Sequence, residues 1–176
     1  LTYGLYRVAA SEGRRARFDV ALTNAPHRHL HYYELCLAVS GRGVYEHGGV
    51  CYPLAAGSAF IADPEIVHEI SSRETRDLDL YFWNLHLRDA HVPLADAYED
   101  RLIHGFLTGH RVALAQPAPS LLSYLPLLPC APGRSWAARR AAESLLLEML
   151  RLLCAAPPRE TERAGLDDPA VARVLS

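Results

Sequence analysis

The chain has 176 residues and a mass of 19.5 kDa, half of them hydrophobic, enough for one domain with a full core, with or without an appendage. A formal charge of −2 and a pI near 6.5 exclude binding to nucleic acid by charge alone. No apolar run reaches membrane-spanning length, and Cys36, Cys51, Cys130 and Cys154 lack metal-type spacing, which suits reduced, buried thiols in a cytoplasmic protein.

The first segment carries Tyr3, Tyr6 and Val8 among small residues and breaks at Arg14-Arg15. Phe18 to Leu22 alternates apolar with small or polar side chains and predicts a first strand. Asn24-Ala25-Pro26 then turns the chain into a histidine run, Pro26-His27-Arg28-His29-Leu30-His31-Tyr32-Tyr33-Glu34. An apolar strand from Leu35 to Val39 is expected to stop at Ser40-Gly41-Arg42-Gly43. The runs Val44–His47 and Val50–Leu54 are joined by Gly48-Gly49, a two-residue hairpin signal in which glycine accepts positive φ. Gly57 marks the next turn, Phe60-Ile61-Ala62 a further strand, and Leu78 to Leu87 a long aromatic-rich one. Apolar residues fall at both parities between Glu34 and Leu54, the pattern of strands covered on both faces. Short runs punctuated by glycine pairs and proline predict a small antiparallel sandwich or barrel.

Beyond about residue 93 the composition changes. Tyr98–His110 can hold a short helix, and Pro117 to Ser120 cap Leu121–Leu125. Ser135 is a plausible N-cap for a long helix over Trp136–Cys154, ended by Pro157-Pro158. Along it Ala138, Ala142, Leu145, Met149 and Leu152 recur every three or four residues, a seam facing a partner surface. Leu147, with Arg140, Glu143, Ser144 and Arg151 as helical neighbours, hints at a second contact face. Arg159–Gly165 reads as a polar linker. Asp167–Leu175 then opens a fresh helix, with Asp168 at the N-cap and Pro169 in its first turn. A helix this short does not hold itself together in water, so a further domain is expected to follow.

His27-x-His29, four residues, Glu34, then Gly41 resembles the first motif of the cupins. With Gly43, Tyr45, Gly48-Gly49, Leu54-x-x-Gly57, Pro64 and His68, the chain resembles the sensor domain of AraC-type transcription regulators. Pro64-Glu65-Ile66-Val67-His68 departs from the second cupin motif, being one residue short and lacking its glycine. The resemblance implies a mainly β fold with C-terminal helices: a cupin-like double-stranded β-helix (a small antiparallel barrel), then an α-helical dimerisation segment. It divides the chain into an effector-binding barrel over 1–93, a helical dimerisation segment over 94–156, and 157–176 as linker and start of a DNA-binding module. It implies a non-enzymatic regulator that binds a small effector, for instance sugar-like, forms a homodimer through the long helix, and meets DNA only through the further module. No membrane partner is expected. Leu145, Leu147, Met149, Leu150 and Leu152 are the expected dimer contacts.

Two sets of residues carry candidate chemistry. His27, His29, Glu34 and His68 offer three nitrogens and an oxygen, a set that suits a divalent ion such as Zn, Fe, Ni or Mn. Alternation puts the histidines of the run on one face; Glu34, at odd offset, joins them only across a bend. Tyr81 and Trp83 share a strand face and are expected to stack on an effector ring, with His29, Glu34 and Arg42 as polar contacts. The rival reading of the same cluster is a metal-dependent cupin enzyme, a dioxygenase or isomerase.

Overall fold

The computed structural model describes residues 2–3, 6–10, 13–89, 98–108, 111–128 and 136–155. Ser135, Cys130 and everything expected of 157–176 lie outside the described residues. The strands are β1 (Thr2–Tyr3), β2 (Tyr6–Ala10), β3 (Arg14–Phe18), β4 (Tyr33–His47), β5 (Val50–Ala55), β6 (Ala59–Ala62) and β7 (His68–Asp89). Helix α1 (Tyr98–Thr108), a 3-10 segment over Pro119–Leu127 and helix α2 (Trp136–Ala155) follow. The chain is therefore mainly antiparallel β with C-terminal helices.

β4 and β7 form the spine, antiparallel from Tyr33↔Leu85 to His47↔His68. The first half of β4 pairs on its other side with β6, and its second half with β5. β2 and β3 flank the second half of β7. Where the halves meet, the β4–β7 register slips between Ala38 and Val44. Gly41 sits there at φ 75 opposite Asp77 at φ 48. A Cβ on Gly41 would lie 2.2 Å from the Asp77 carbonyl oxygen, so the backbones touch at a corner that only glycine permits. The sheet folds over at this corner. Tyr45, beyond it, donates its hydroxyl to the Ile61 carbonyl on β6 at 2.7 Å and packs its ring 4.6 Å from Phe60.

The expected break at Ser40–Gly43 is thus a bulge inside one continuous strand, because the ladder can bend without ending. The first predicted strand is also displaced. β3 ends at Phe18, and Asp19–Leu22 close a turn through two backbone hydrogen bonds of 3.1 and 2.9 Å. Arg15 and Arg17 hid the true strand: they point outward to Asp79 and Asp77 on β7, while Ala16 and Phe18 point inward. β7 starts ten residues before its legible aromatic stretch, since Ser72, Glu74 and Arg76 hold its solvent side while Ile70 and Thr75 are buried.

Both faces are covered over residues 35–38 of β4 and along β6, but the double-parity expectation fails further on. β5 buries Tyr52 and Leu54 and exposes Cys51, Pro53 and Ala55, so one of its faces meets solvent. Leu35, Leu37, Ala59, Ile61, Trp83 and Leu85 face outward and pack with Ile103, Phe106, Leu121, Leu145, Met149 and Leu153 of the helical layer. Cys36, Ala38, Tyr45, Phe60, Leu78 and Leu80 face into the fold of the sheet. Each fully buried aliphatic side chain contributes about 1.5–3 kcal/mol through its removal from water. The chain after α1 ties the layers together: Ile61 N–H donates to the Ala113 carbonyl (3.0 Å), Ala115 N–H to that of Ala59 (2.9 Å) and Val112 N–H to that of Leu153 (3.1 Å). This segment covers the open edge of β6.

The seam along α2 is satisfied within the same chain. Leu145, Met149 and Leu150 are 0–1% exposed in the core beneath it, so they have no surface to give a second copy. Leu147 and Leu152 are half-buried. Cys36 is buried as expected, but Cys51 is exposed on β5 and Cys154 only half-buried, because both lie at the margins of the packed layers.

Candidate functional site

His27, His29, Glu34 and His68 come together although 41 positions separate the first from the last. His27 and His68 are partners in a short backbone bridge, with hydrogen bonds of 3.1 and 2.9 Å in the two directions. Residues 28–32 then leave the extended path before β4 begins at Tyr33, which supplies the bend that Glu34 needs to face the histidines. Glu65, at φ 67 in the loop before β7, donates its N–H to the His29 carbonyl at 2.6 Å and pins the run from the other side.

One potential ligand atom from each of the four residues lies within 4.8 Å of the others. The centroids of the three imidazole rings are 4.4–5.1 Å apart. Each imidazole has its Nδ1 engaged: His27 with the Ala25 carbonyl (2.9 Å), His68 with the Ile66 carbonyl (2.9 Å) and His29 with the Tyr32 hydroxyl (2.8 Å). A carbonyl can only accept, so His27 and His68 donate from Nδ1, and in the neutral ring that leaves the lone pair on Nε2. Nε2 of His29 and of His68 are buried without a hydrogen-bond partner. Glu34 oxygens lie 3.6 and 3.9 Å from them, too far for a hydrogen bond.

Burial pushes the His68 and His29 imidazoles below the ordinary histidine value, His29 with help from the charge of His27. Burial likewise raises the Glu34 carboxyl, against the pull of His68 and His27. Orphaned, neutral imidazole nitrogens beside a carboxylate fit a divalent cation, and the Nδ1 partners supply the orientation such sites use. A tetrahedral ion with bonds of about 2.0–2.1 Å holds its ligand atoms roughly 3.3 Å apart, so closure by up to about 1.5 Å would complete the set. The cluster could hold a metal.

Beside the cluster, inside the folded sheet, lies a cavity of about 200 Å³. Its wall is Ala16, Phe18, Cys36, Tyr45, Phe60, Ile70, Leu80 and Phe82, with His27, Glu34 and His68 at one side and Asn24 and Glu69 also lining it. Tyr81 and Trp83 are not part of it. They do share a face, and their rings stack at 5.8 Å, but it is the outer face, under the 3-10 segment and α2. Even-numbered residues of this stretch face the cavity and odd-numbered ones the helices, so Tyr81 and Trp83 lie away from it and line a separate small hollow with Gly13, Leu128 and Ala142. Arg42 is also away from this cavity: it is exposed in a separate shallow groove with Glu74 and Arg76. His31 is exposed and stands apart. The wall residues Phe18, Phe60, Leu80 and Phe82 were missed, though Phe82 and Leu80 stand opposite Cys36 and Ala38 across the β4–β7 ladder.

A second polar group joins the site to the helical layer. Asp63, in the loop leading to His68, pairs with Arg111, which lies over the rings of Phe106 (4.5 Å) and Tyr33 (5.3 Å) and donates to the Phe106 carbonyl at 2.7 Å. His47 Nε2 accepts from the Asp63 N–H at 3.2 Å. Nothing in the sequence flagged this contact, since Asp63 and Arg111 are 48 positions apart.

The AraC-like ligand binding domain family matches residues 8–99, just over half the chain and every residue of the cavity wall and the cluster. Among curated proteins, an uncharacterised HTH-type transcriptional regulator, YfiF of Bacillus subtilis, is 40% identical over 55 residues, 30% of this chain. The chain spans about a fifth of that relative's length (18% is aligned). Solved structures with partial likeness include a predicted oxalate decarboxylase of Thermotoga maritima (TM-score 0.39, 20% identity, 45% of this chain and 68% of that one). An RmlC-like cupin of Shewanella frigidimarina is similar over 47% of this chain and 78% of its own (TM-score 0.37, 18% identity). The family match covers the part of the fold that builds the site: the chain belongs to the AraC-like ligand-binding domain family.

Proposed function

We propose that the chain is the effector-sensing domain of an AraC-type transcription regulator, taking a small molecule into the cavity beside His27, Glu34 and His68. The supporting observation is that the family match encloses a cavity whose wall is apolar and whose polar groups gather at one side. In this reading DNA is met by a helix-turn-helix module joined to this domain, a role the YfiF relative's description suggests. The effector acts by binding one arrangement of the regulator more tightly than another, since only differential affinity shifts such an equilibrium.

Two copies would pair through the outer side of α2, where Leu147 is half-exposed; Leu152 is half-buried against the core. Zn, Fe, Ni or Mn would be held by His27, His29, Glu34 and His68, and a bound ion would supply Lewis-acid attraction for an electron-rich head group on the effector. Leu1–Ser176 fused to a DNA-binding domain that represses only as a dimer tests the reading. Reporter output should shift with at least one member of a panel of monosaccharides, phenols and aromatic acids. Dimerisation in the fusion should fall on Leu147→Arg. A fusion that stays monomeric and indifferent to every ligand bound by the isolated chain overturns it.

The orphaned imidazole nitrogens favour one second reading, a metal-dependent cupin enzyme. That reading requires turnover of a bound ligand by the metal-loaded chain, which mass spectrometry of the recovered ligand detects.

A further inference from the structure

We propose that the cavity selects a single aromatic ring bearing one hydroxyl head group, a phenol in chemical class, and rejects polyols of the same size. The inference rests on the ligand-sensing reading of this cavity and names what it senses.

Size comes first. The space is about 200 Å³. An apolar protein cavity of about 150 Å³ accepts benzene, so this one accommodates one ring with small substituents and little more. The wall sets the chemistry of the body. Phe18, Phe60, Ile70, Leu80 and Phe82 offer carbon only. The wall's hydroxyl is already spent, since Tyr45 donates to the Ile61 carbonyl at 2.7 Å. The Asn24 carbonyl oxygen accepts from the Ile70 N–H at 2.8 Å. A sugar carries hydroxyls all round its ring. Those near His27, Glu34, His68, Asn24 or Glu69 would find partners, but those turned to the phenylalanines, Ile70 and Leu80 would lose water and gain none, each at a cost of roughly tenfold or more in affinity.

The head group is set by the one side that differs. His68 Nδ1 donates to the Ile66 carbonyl, so its buried Nε2 carries a lone pair and has no partner. In the metal-free chain a hydroxyl donates to such a nitrogen, and a ring carrying only that hydroxyl leaves its remaining surface for the phenylalanines. An aromatic face against aromatic rings adds offset or edge contacts beyond the area it buries.

The test is calorimetry on the full chain, treated with EDTA, using 4-methylphenol and D-xylose as probes. 4-Methylphenol should bind with a negative heat-capacity change. D-Xylose at hundredfold excess should leave its dissociation constant unchanged. Ala16→Leu and Phe82→Trp, which fill the space from two walls, should each weaken 4-methylphenol at least tenfold and abolish its protection against thermal unfolding. Ala16→Leu, the gentler change, decides the matter if Phe82→Trp fails to fold. Competition by D-xylose, absence of 4-methylphenol binding by the folded chain, or full binding after Ala16→Leu would each overturn the proposal. If 4-methylphenol binds as stated but leaves the dimer-dependent reporter unmoved, the regulatory reading fails and the ligand class stands. If a polyol binds and moves the reporter, the ligand class fails and the regulatory reading stands.

Discussion

A histidine with its Nδ1 proton given to a backbone carbonyl is a histidine prepared to use Nε2, and His27 and His68 are both in that state. Burial holds His68 and His29 below their ordinary value, so they are neutral and ligand-ready near neutral pH. The sign of the linkage follows. The unfolded chain takes up protons at these two positions near pH 6.5 while the folded chain does not, so their contribution to stability is complete above that pH and lost as pH falls below it. Glu34 works in the other sense, because its raised value makes the folded chain hold a proton that the unfolded chain has released. Its contribution is present at low pH and is lost as pH rises through the folded value. In metal-free protein, NMR titration should place His29 and His68 below 6.5 and Glu34 above 4.5, and Glu34→Gln should steepen the loss of stability on acidification below pH 6.5. An ordinary midpoint for His68 would contradict its burial.

Strand length and facing were legible in unequal measure. Apolar residues at both parities announced the doubly covered stretch over residues 35–38 but not the solvent-facing side of β5, and the glycine pair Gly48-Gly49 announced the β4–β5 hairpin, with both glycines at positive φ. Which parity faced the cavity was not legible, because Tyr81, Phe82 and Trp83 are all large, apolar and aromatic. Only the corner at Gly41 and Asp77, a property of two strands together, decides it. The same corner explains why a continuous β4 read as two strands: glycine breaks a local pattern whether it ends a strand or bends one. Gly41→Ala would bring a Cβ against the Asp77 carbonyl at φ 75, and should cost roughly 2–3 kcal/mol, measured by urea unfolding. Gly49→Ala meets no neighbour within 4 Å and should cost only its φ penalty, about 1 kcal/mol. Equal losses at the two positions would show that the corner does not depend on close backbone approach.

At the scale of the molecule, the helical layer is part of one core with the sheet. Leu145→Ala, fully buried, should cost about 2–5 kcal/mol, and a comparable truncation at the half-buried Leu147 well under half of that. Thermal unfolding checks both, and similar effects would contradict the placement of α2. The helix was legible from its periodicity; what it packs on was not, since an apolar seam looks the same whether a partner or its own sheet receives it. The β4–β7 ladder carries a last implication. His68 belongs to its innermost rung, opposite His47, whereas Glu34 sits near its outermost, opposite Asn84. Only the fold at the corner brings those two rungs to one place. A chain in which only the inner rungs have zipped holds His68 apart from Glu34, so the four-residue cluster exists only once the corner has closed, and whatever binds there stabilises that closure.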